Sequence, residues 1–273
     1  MSAFLRNTGS LGLEATLESA PPSIAGTNET ESPLVEAVPE AKPNSGYSGV
    51  EEHSSPFHAF LEHSTSYIFP GLFVLNLHLT LVRLYELDWL WLAALAIPLS
   101  LLLGDFVSGL VHWTADTYFS EDTPIVGQSL IKPFRLHHIY PRDICTHDLV
   151  TTVGNVCILA VPVLSISLYV LWRWPVPAWL AFAILCLTLM TAATVATNQF
   201  HKWAHQEKSS GFVAWLQRKR LVLEPLHHQE HHTKPFNMHY CITNGWLNPL
   251  LNKIKFFRAL EAVLRFLGVK QTN

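Results

Sequence analysis

Residues 177–200, "PAWLAFAILCLTLMTAATVATNQF", contain no charged side chain. A bilayer core about 30 Å thick is crossed by roughly 20 apolar residues, and inside it every backbone N–H and C=O must be satisfied within the segment. A helix meets both conditions. Three other stretches share this character: Val153–Trp172 has no charge, Leu90–Trp113 carries only Asp105, and Ile68–Tyr85 is interrupted by Asn76, His78 and Arg83. The links "ELD" and "RWPV" within each pair are short, and short links demand antiparallel neighbours. The expectation is an all-α integral membrane protein whose four transmembrane helices form two hairpins, with a long loop at 114–152 between them.

The N-terminus has a different composition. The first 55 residues carry eight acidic and two basic side chains among Pro, Ser, Gly and Thr. Such a segment buries too little apolar surface to offset its ordering entropy. Residues 1–60 are therefore expected to be a disordered acidic tail, and residues 61–273 the membrane-embedded domain. The tail lacks the basic and apolar regions of a secretory signal and is too acidic for a transit peptide. Beyond it, 16 Lys and Arg face 13 Asp and Glu, a mild excess that suits a membrane surface rather than a nucleic-acid groove. No nucleic-acid partner is expected. The four cysteines stand singly, without metal-ribbon or disulfide spacing.

An even number of spans puts the N-terminal tail, the 114–152 loop and everything after His201 on one side. Lys132, Arg135, Arg142, Lys202, Arg218, Lys219 and Arg220 lie there, against Arg173 opposite, which makes that side cytosolic. Trp89, Trp91, Trp172, Trp174 and Trp179 gather at the other end, as an interfacial belt does. Eleven of the fifteen histidines fall between His112 and His239, and all eleven map to the cytosolic ends and loops. The expected fold thus has a cytosolic, histidine-rich helical cap.

Their spacing suits metal ligation. His201 and His205 stand at i, i+4 in "HKWAH"; His228, His231 and His232 at i, i+3, i+4 in "HQEHH"; His112 and Asp116 at i, i+4 in "HWTAD". His137, His138, His147 and Asp148 add further donors. Eight or more candidates exceed the three protein ligands of a catalytic zinc and suit two ions, with the nitrogen-rich donor set of non-haem iron. His53, His58, His63 and His78 read as residues without a metal role. Asp105 is a buried carboxylate at membrane depth, and Asp116 is either a ligand or the group that orients His112. Two other readings stand beside this one: a zinc-dependent membrane lipid hydrolase, and a metal-responsive or docking membrane protein.

The segments "GLVHWTADTYFSEDTPIVGQSLIKPFRLHHIYPRDICTHDLV", "NQFHKWAHQ" and "HHQEHHTKPFNMHYCITNGWLNPLLNKIKFFRALE" resemble the Kua-type lipid desaturases. The resemblance implies a diiron enzyme of the endoplasmic reticulum membrane. It implies a vinyl-ether double bond introduced beside the ether oxygen of a 1-O-alkyl ethanolamine phospholipid, with dioxygen as co-substrate and electrons from cytochrome b5 and its reductase. Its ligand positions fall on His112, Asp116, His137, His138, His147, His201, His205, His228, His231 and His232. The two named boxes, His201 to His205 and His228 to His232, are its catalytic core; Asp148, His227 and Asp105 are supporting or unassigned positions. Arg135, Lys202 and Lys234 are candidates for the lipid headgroup, with ordinary interfacial snorkelling as the alternative. "THDLV", "NGWLN" and "KPFR" resemble the branch acting on alkyl ethers. "KPFNMHYCI" resembles the plastid branch acting on an acyl chain of phosphatidylglycerol, so an acyl-lipid substrate is the alternative.

Overall fold

A computed structural model describes residues 55–272 of the chain. Helix α1 (Pro56–Glu86) begins well before the apolar run at Ile68, because Ser55 accepts the His58 N–H and Pro56 sits at the first helical position. The last residues assigned to the tail, 56–60, are therefore helical, and residues 1–54 lie outside the described part. Helices α2 (Leu92–Thr117), α4 (Leu149–Arg173) and α5 (Ala178–His205) complete the set long and apolar enough to cross a membrane. Over an 18-residue apolar stretch of each, mean hydropathy is 1.4 for α1, 1.9 for α2 and 2.1 for both α4 and α5. Between and after them lie the short helices α3 (Lys132–Ile139), α6 (Gly211–Arg218), α7 (Pro225–His231), α8 (Asn248–Lys253) and α9 (Phe256–Phe266). The described residues form no strand.

The packing centres on α5, which touches α1, α2 and α4. Sequence neighbours α4 and α5 pack together, whereas α1 packs on α4 and α5 rather than on its own sequence neighbour α2, whose main partner is α5. Lipid supplies no hydrophobic drive between spans, so close packing and interhelical hydrogen bonds must join them. Asn76 Nδ2 on α1 donates to the Leu164 carbonyl of α4 at 3.0 Å, Ser100 Oγ on α2 to the Cys186 carbonyl of α5 at 3.0 Å, and Asn198 Nδ2 on α5 to the Thr152 carbonyl at 3.0 Å. Thr80, Thr188, Thr191, Thr194 and Thr197 return their hydroxyls to the carbonyl four residues back, so these polar side chains are satisfied within their own helix.

Helices α2 and α5 continue past their apolar runs. Those extra turns bring Asp116 and His205 level with α3 and α7.

Candidate metal centre

Two clusters of donors form where these helix ends meet. In the first, His137 from α3, His201 and His205 from α5, and His228 and His232 from α7 and its end place one nitrogen each within 4.8 Å of all the others. Every close contact there is between Nε2 atoms: His201 to His228 at 2.8 Å, His228 to His205 at 2.9 Å, His137 to His205 at 2.9 Å, His232 to His228 at 3.0 Å and His205 to His201 at 3.2 Å. Bonds of roughly 2.1 Å, usual for imidazole on a first-row divalent metal, give an octahedral edge of about 3 Å and a trans distance of about 4.2 Å. The five nitrogens fit one ion on that measure.

The second cluster is His112 and Asp116 from α2, His138 from α3 and His231 from α7. The Nε2 atoms of His138, His112 and His231 stand 3.2, 3.4 and 3.6 Å from the Asp116 carboxylate oxygens. The Nε2 atoms of His112 and His231 are buried and make no hydrogen bond, and that of His138 meets only Asp116. Buried polar atoms left in that state cost about 1–3 kcal/mol each, so their convergence beside a carboxylate fits a cation. The tautomers agree with that fit: His231 Nδ1–H donates to the Met238 carbonyl at 2.8 Å and His112 Nδ1–H to the Tyr240 carbonyl at 3.2 Å, leaving each Nε2 lone pair directed inward. The clusters adjoin, with the His138 and His232 ring centroids 5.1 Å apart.

Burial keeps His137, His228, His231 and His232 neutral. Desolvation, followed by repulsion from neighbouring imidazoles, holds His137 and His228 well below the ordinary histidine range, lowers His231 to about 3 and lowers His232 to about 2. A neutral imidazole is the ligating form.

Nine of the ten expected ligand positions thus come together. His147 does not: it ends the short turn Asp143–Thr146, with its Nε2 3.8 Å from Asp143 and its carbonyl accepting from Lys202 Nζ. Asp148 caps α4 by accepting the Thr151 N–H at 2.8 Å, a bond that holds its carboxyl below the usual range. Asp105 reaches neither cluster, and its carboxylate accepts backbone N–H groups from the 244–247 segment. Arg135 donates to the Phe119 carbonyl and to Thr272 Oγ1, and Lys234 is exposed.

His227 joins a third group with Glu230 and His239. His239 uses opposite ring nitrogens, Nδ1 toward His227 at 3.1 Å and Nε2 toward Glu230 at 3.0 Å, while Asn248 Nδ2 donates to His227 Nε2 at 2.9 Å. That is a hydrogen-bonded chain rather than convergence on a point. Glu230 and His239 carried no usable sequence signal, because their meeting depends on how the chain turns back after α7.

Residues 101–272 match the lipid desaturase domain. The chain belongs to the lipid desaturase domain family. A plasmanylethanolamine desaturase from Myxococcus xanthus is 44% identical over 174 residues, 64% of this chain and 61% of that protein. Plasmanylethanolamine desaturase 1 of Mus musculus is 39% identical over 181 residues, 64% of this chain and 65% of that protein. The chloroplastic fatty acid desaturase 4 of Arabidopsis thaliana is 34% identical over 173 residues, 62% of this chain and 51% of that protein. The match spans less than two thirds of each of these relatives. No solved structure matches the chain.

Proposed function

We propose that this protein is a membrane diiron desaturase converting the 1-O-alkyl chain of a plasmanyl ethanolamine phospholipid to the 1-O-alk-1-enyl form. Dioxygen is the co-substrate, and cytochrome b5 with its reductase supplies electrons at the cytosolic face of the endoplasmic reticulum membrane. The observation that carries this reading is the pair of adjoining donor clusters at the ends of membrane-length helices, in a chain related to plasmanylethanolamine desaturases. The second cluster offers the only carboxylate, Asp116, so the donor set is rich in nitrogen and poor in oxygen, as non-haem iron accepts.

Removing hydrogen from an unactivated methylene is beyond any side-chain acid or base, and iron bound at the two clusters supplies the oxidising strength for it. The balance is fixed: two hydrogens from the lipid, two electrons, two protons and one dioxygen leave as two waters. The chain's own contribution is position. The packed rings exclude water, burial holds His137, His228, His231 and His232 neutral, and the carbonyls of Met238 and Tyr240 hold two rings in one tautomer. The ends of α2 and α5 set the clusters where the first carbons of a lipid chain meet the headgroup level. Lys234, exposed two residues after His232, and the remaining donors of Arg135 and Lys202 are assigned to the headgroup phosphate.

Lipid mass spectrometry of cells that retain alkyl-ether precursors but lack plasmalogens tests this. Vinyl ether is expected with the unaltered chain and is absent with His231→Ala at equal expression. An altered acyl unsaturation without vinyl ether would shift the substrate to an acyl lipid, the reading favoured by the Arabidopsis relative's name. Roughly one zinc and no iron per purified chain would overturn the desaturase in favour of a hydrolase.

A further inference from the structure

Asp105 has no exposed surface, and it sits on α2 two turns before His112. A carboxylate in that place requires a reason, since the charge must be satisfied by the protein itself. Its Oδ1 accepts the N–H groups of Asn244 at 3.0 Å and Gly245 at 2.9 Å, and its Oδ2 accepts that of Leu247 at 3.0 Å. These residues end an irregular strap, 238–247, laid along α2. Ahead of them every link is pinned. Thr243 Oγ1 meets Thr197 Oγ1 at 2.7 Å, Ser108 Oγ accepts the Ile242 N–H at 3.0 Å, and Asn248 holds both the N–H and the carbonyl of Cys241, at 2.9 and 2.8 Å. Gly109 lets the strap lie close, because a Cβ there would stand 2.5 Å from Cys241 Sγ. The other end of the same strap supplies the Met238 and Tyr240 carbonyls that accept from His231 and His112.

We propose that Asp105 is a positioning residue for the second donor cluster. By anchoring the strap it fixes the two carbonyls that set the tautomer and direction of His112 and His231. The strap has no slack between anchor and carbonyls, so an error at Asp105 is passed to those two rings. The first cluster has no hydrogen bond to this strap from any of its five rings, and it stays as it is. The inference rests on the reading that these clusters bind iron.

The test uses the full chain, purified in detergent and loaded with ferrous iron, with iron counted by mass spectrometry and its environments resolved by Mössbauer spectroscopy. Asp105→Asn keeps the shape but turns one acceptor oxygen into a donor facing a strap N–H. Direct hydrogen-bond partners of ligating histidines, here the Met238 and Tyr240 carbonyls, commonly change metal affinity by about 10- to 100-fold, and Asp105 acts one step further out, through them. Iron should fall from about two to about one per chain, with one spectral component lost and the other unchanged. Ser108→Ala, which removes the Ile242 contact and the Ser108 bond to the Asp105 carbonyl but leaves the Asp105 carboxylate in place, is the milder variant should Asp105→Asn fold poorly, and it should weaken the same component alone. Equal loss of both components in either variant would make Asp105 a structural residue only, and two unchanged components would remove the proposal. An unaltered chain that takes up no iron would instead overturn the diiron reading itself, leaving the two failures distinguishable.

Discussion

His137 and His138 are neighbours in the chain yet belong to different donor clusters. Consecutive helical positions point about 100° apart, so one turn of α3, packed against α2, serves both. His228 and His232, at i and i+4, share one face of α7 and join the first cluster, whereas His231 turns to the second. The i, i+4 pairs were legible in the sequence because helical geometry alone dictates them. The division of His137 from His138 was not, since it depends on where α3 docks, and neither was the position of His147 beside Asp143, outside both clusters. Burial at this scale has a consequence for acid stability. The unfolded chain takes up protons on histidine as pH falls below about 6.5. Metal-free folded protein holds His231 neutral to about 3 and His232 to about 2. The unfolded state therefore binds more protons between those limits, so stability is full above pH 6.5 and declines as pH falls. The slope is at most about 1.4 kcal/mol per pH unit for each such histidine. Thermal midpoints of metal-free protein in detergent should fall steadily from pH 7 to pH 5, and a flat profile would contradict the buried neutral state.

Among the elements, α5 is the one on which both packing and chemistry depend. Its apolar run announced a membrane span, and its last turn supplies His201 and His205. Helix existence was readable from hydropathy, but the lateral pairing of α1 with α4 was not, because link length speaks only to sequence neighbours. Asn76 shows what that pairing rests on. It looked like an interruption of the weakest span, and it is fully buried, bonded to the Leu164 carbonyl of α4. Interhelical hydrogen bonds between spans average about 0.6 kcal/mol and reach about 1.7 kcal/mol. Asn76→Ala should lower stability by that order, measured by unfolding in detergent, and leave the iron content of the purified chain near two. Iron loss equal to that of His201→Ala would show that the α1–α4 contact supports the metal centre directly.

At the scale of the whole molecule, the distribution of charge bears on orientation where hydropathy cannot. The ends of α2 and α5 and the start of α4 meet around the histidines, and this is the end where Lys and Arg are concentrated; the opposite end carries Trp172, Trp174 and Trp179 beside Arg173. Positive residues are retained on the cytosolic side during insertion, and on that ground we propose that the donor clusters face the cytosol. The proposed function calls for the same orientation, since a soluble-domain electron donor anchored on the cytosolic leaflet would reach only that face. An extended loop carrying an N-glycosylation acceptor, inserted in the 174–177 link between α4 and α5, should therefore be glycosylated in microsomes. The same insert at 207–210, after α5, should remain unmodified. Glycosylation of the 207–210 insert alone would place the histidines in the lumen. The positive-inside assignment would then fail, and cytochrome b5 on the cytosolic leaflet could not be the electron donor, even if vinyl-ether formation had been established.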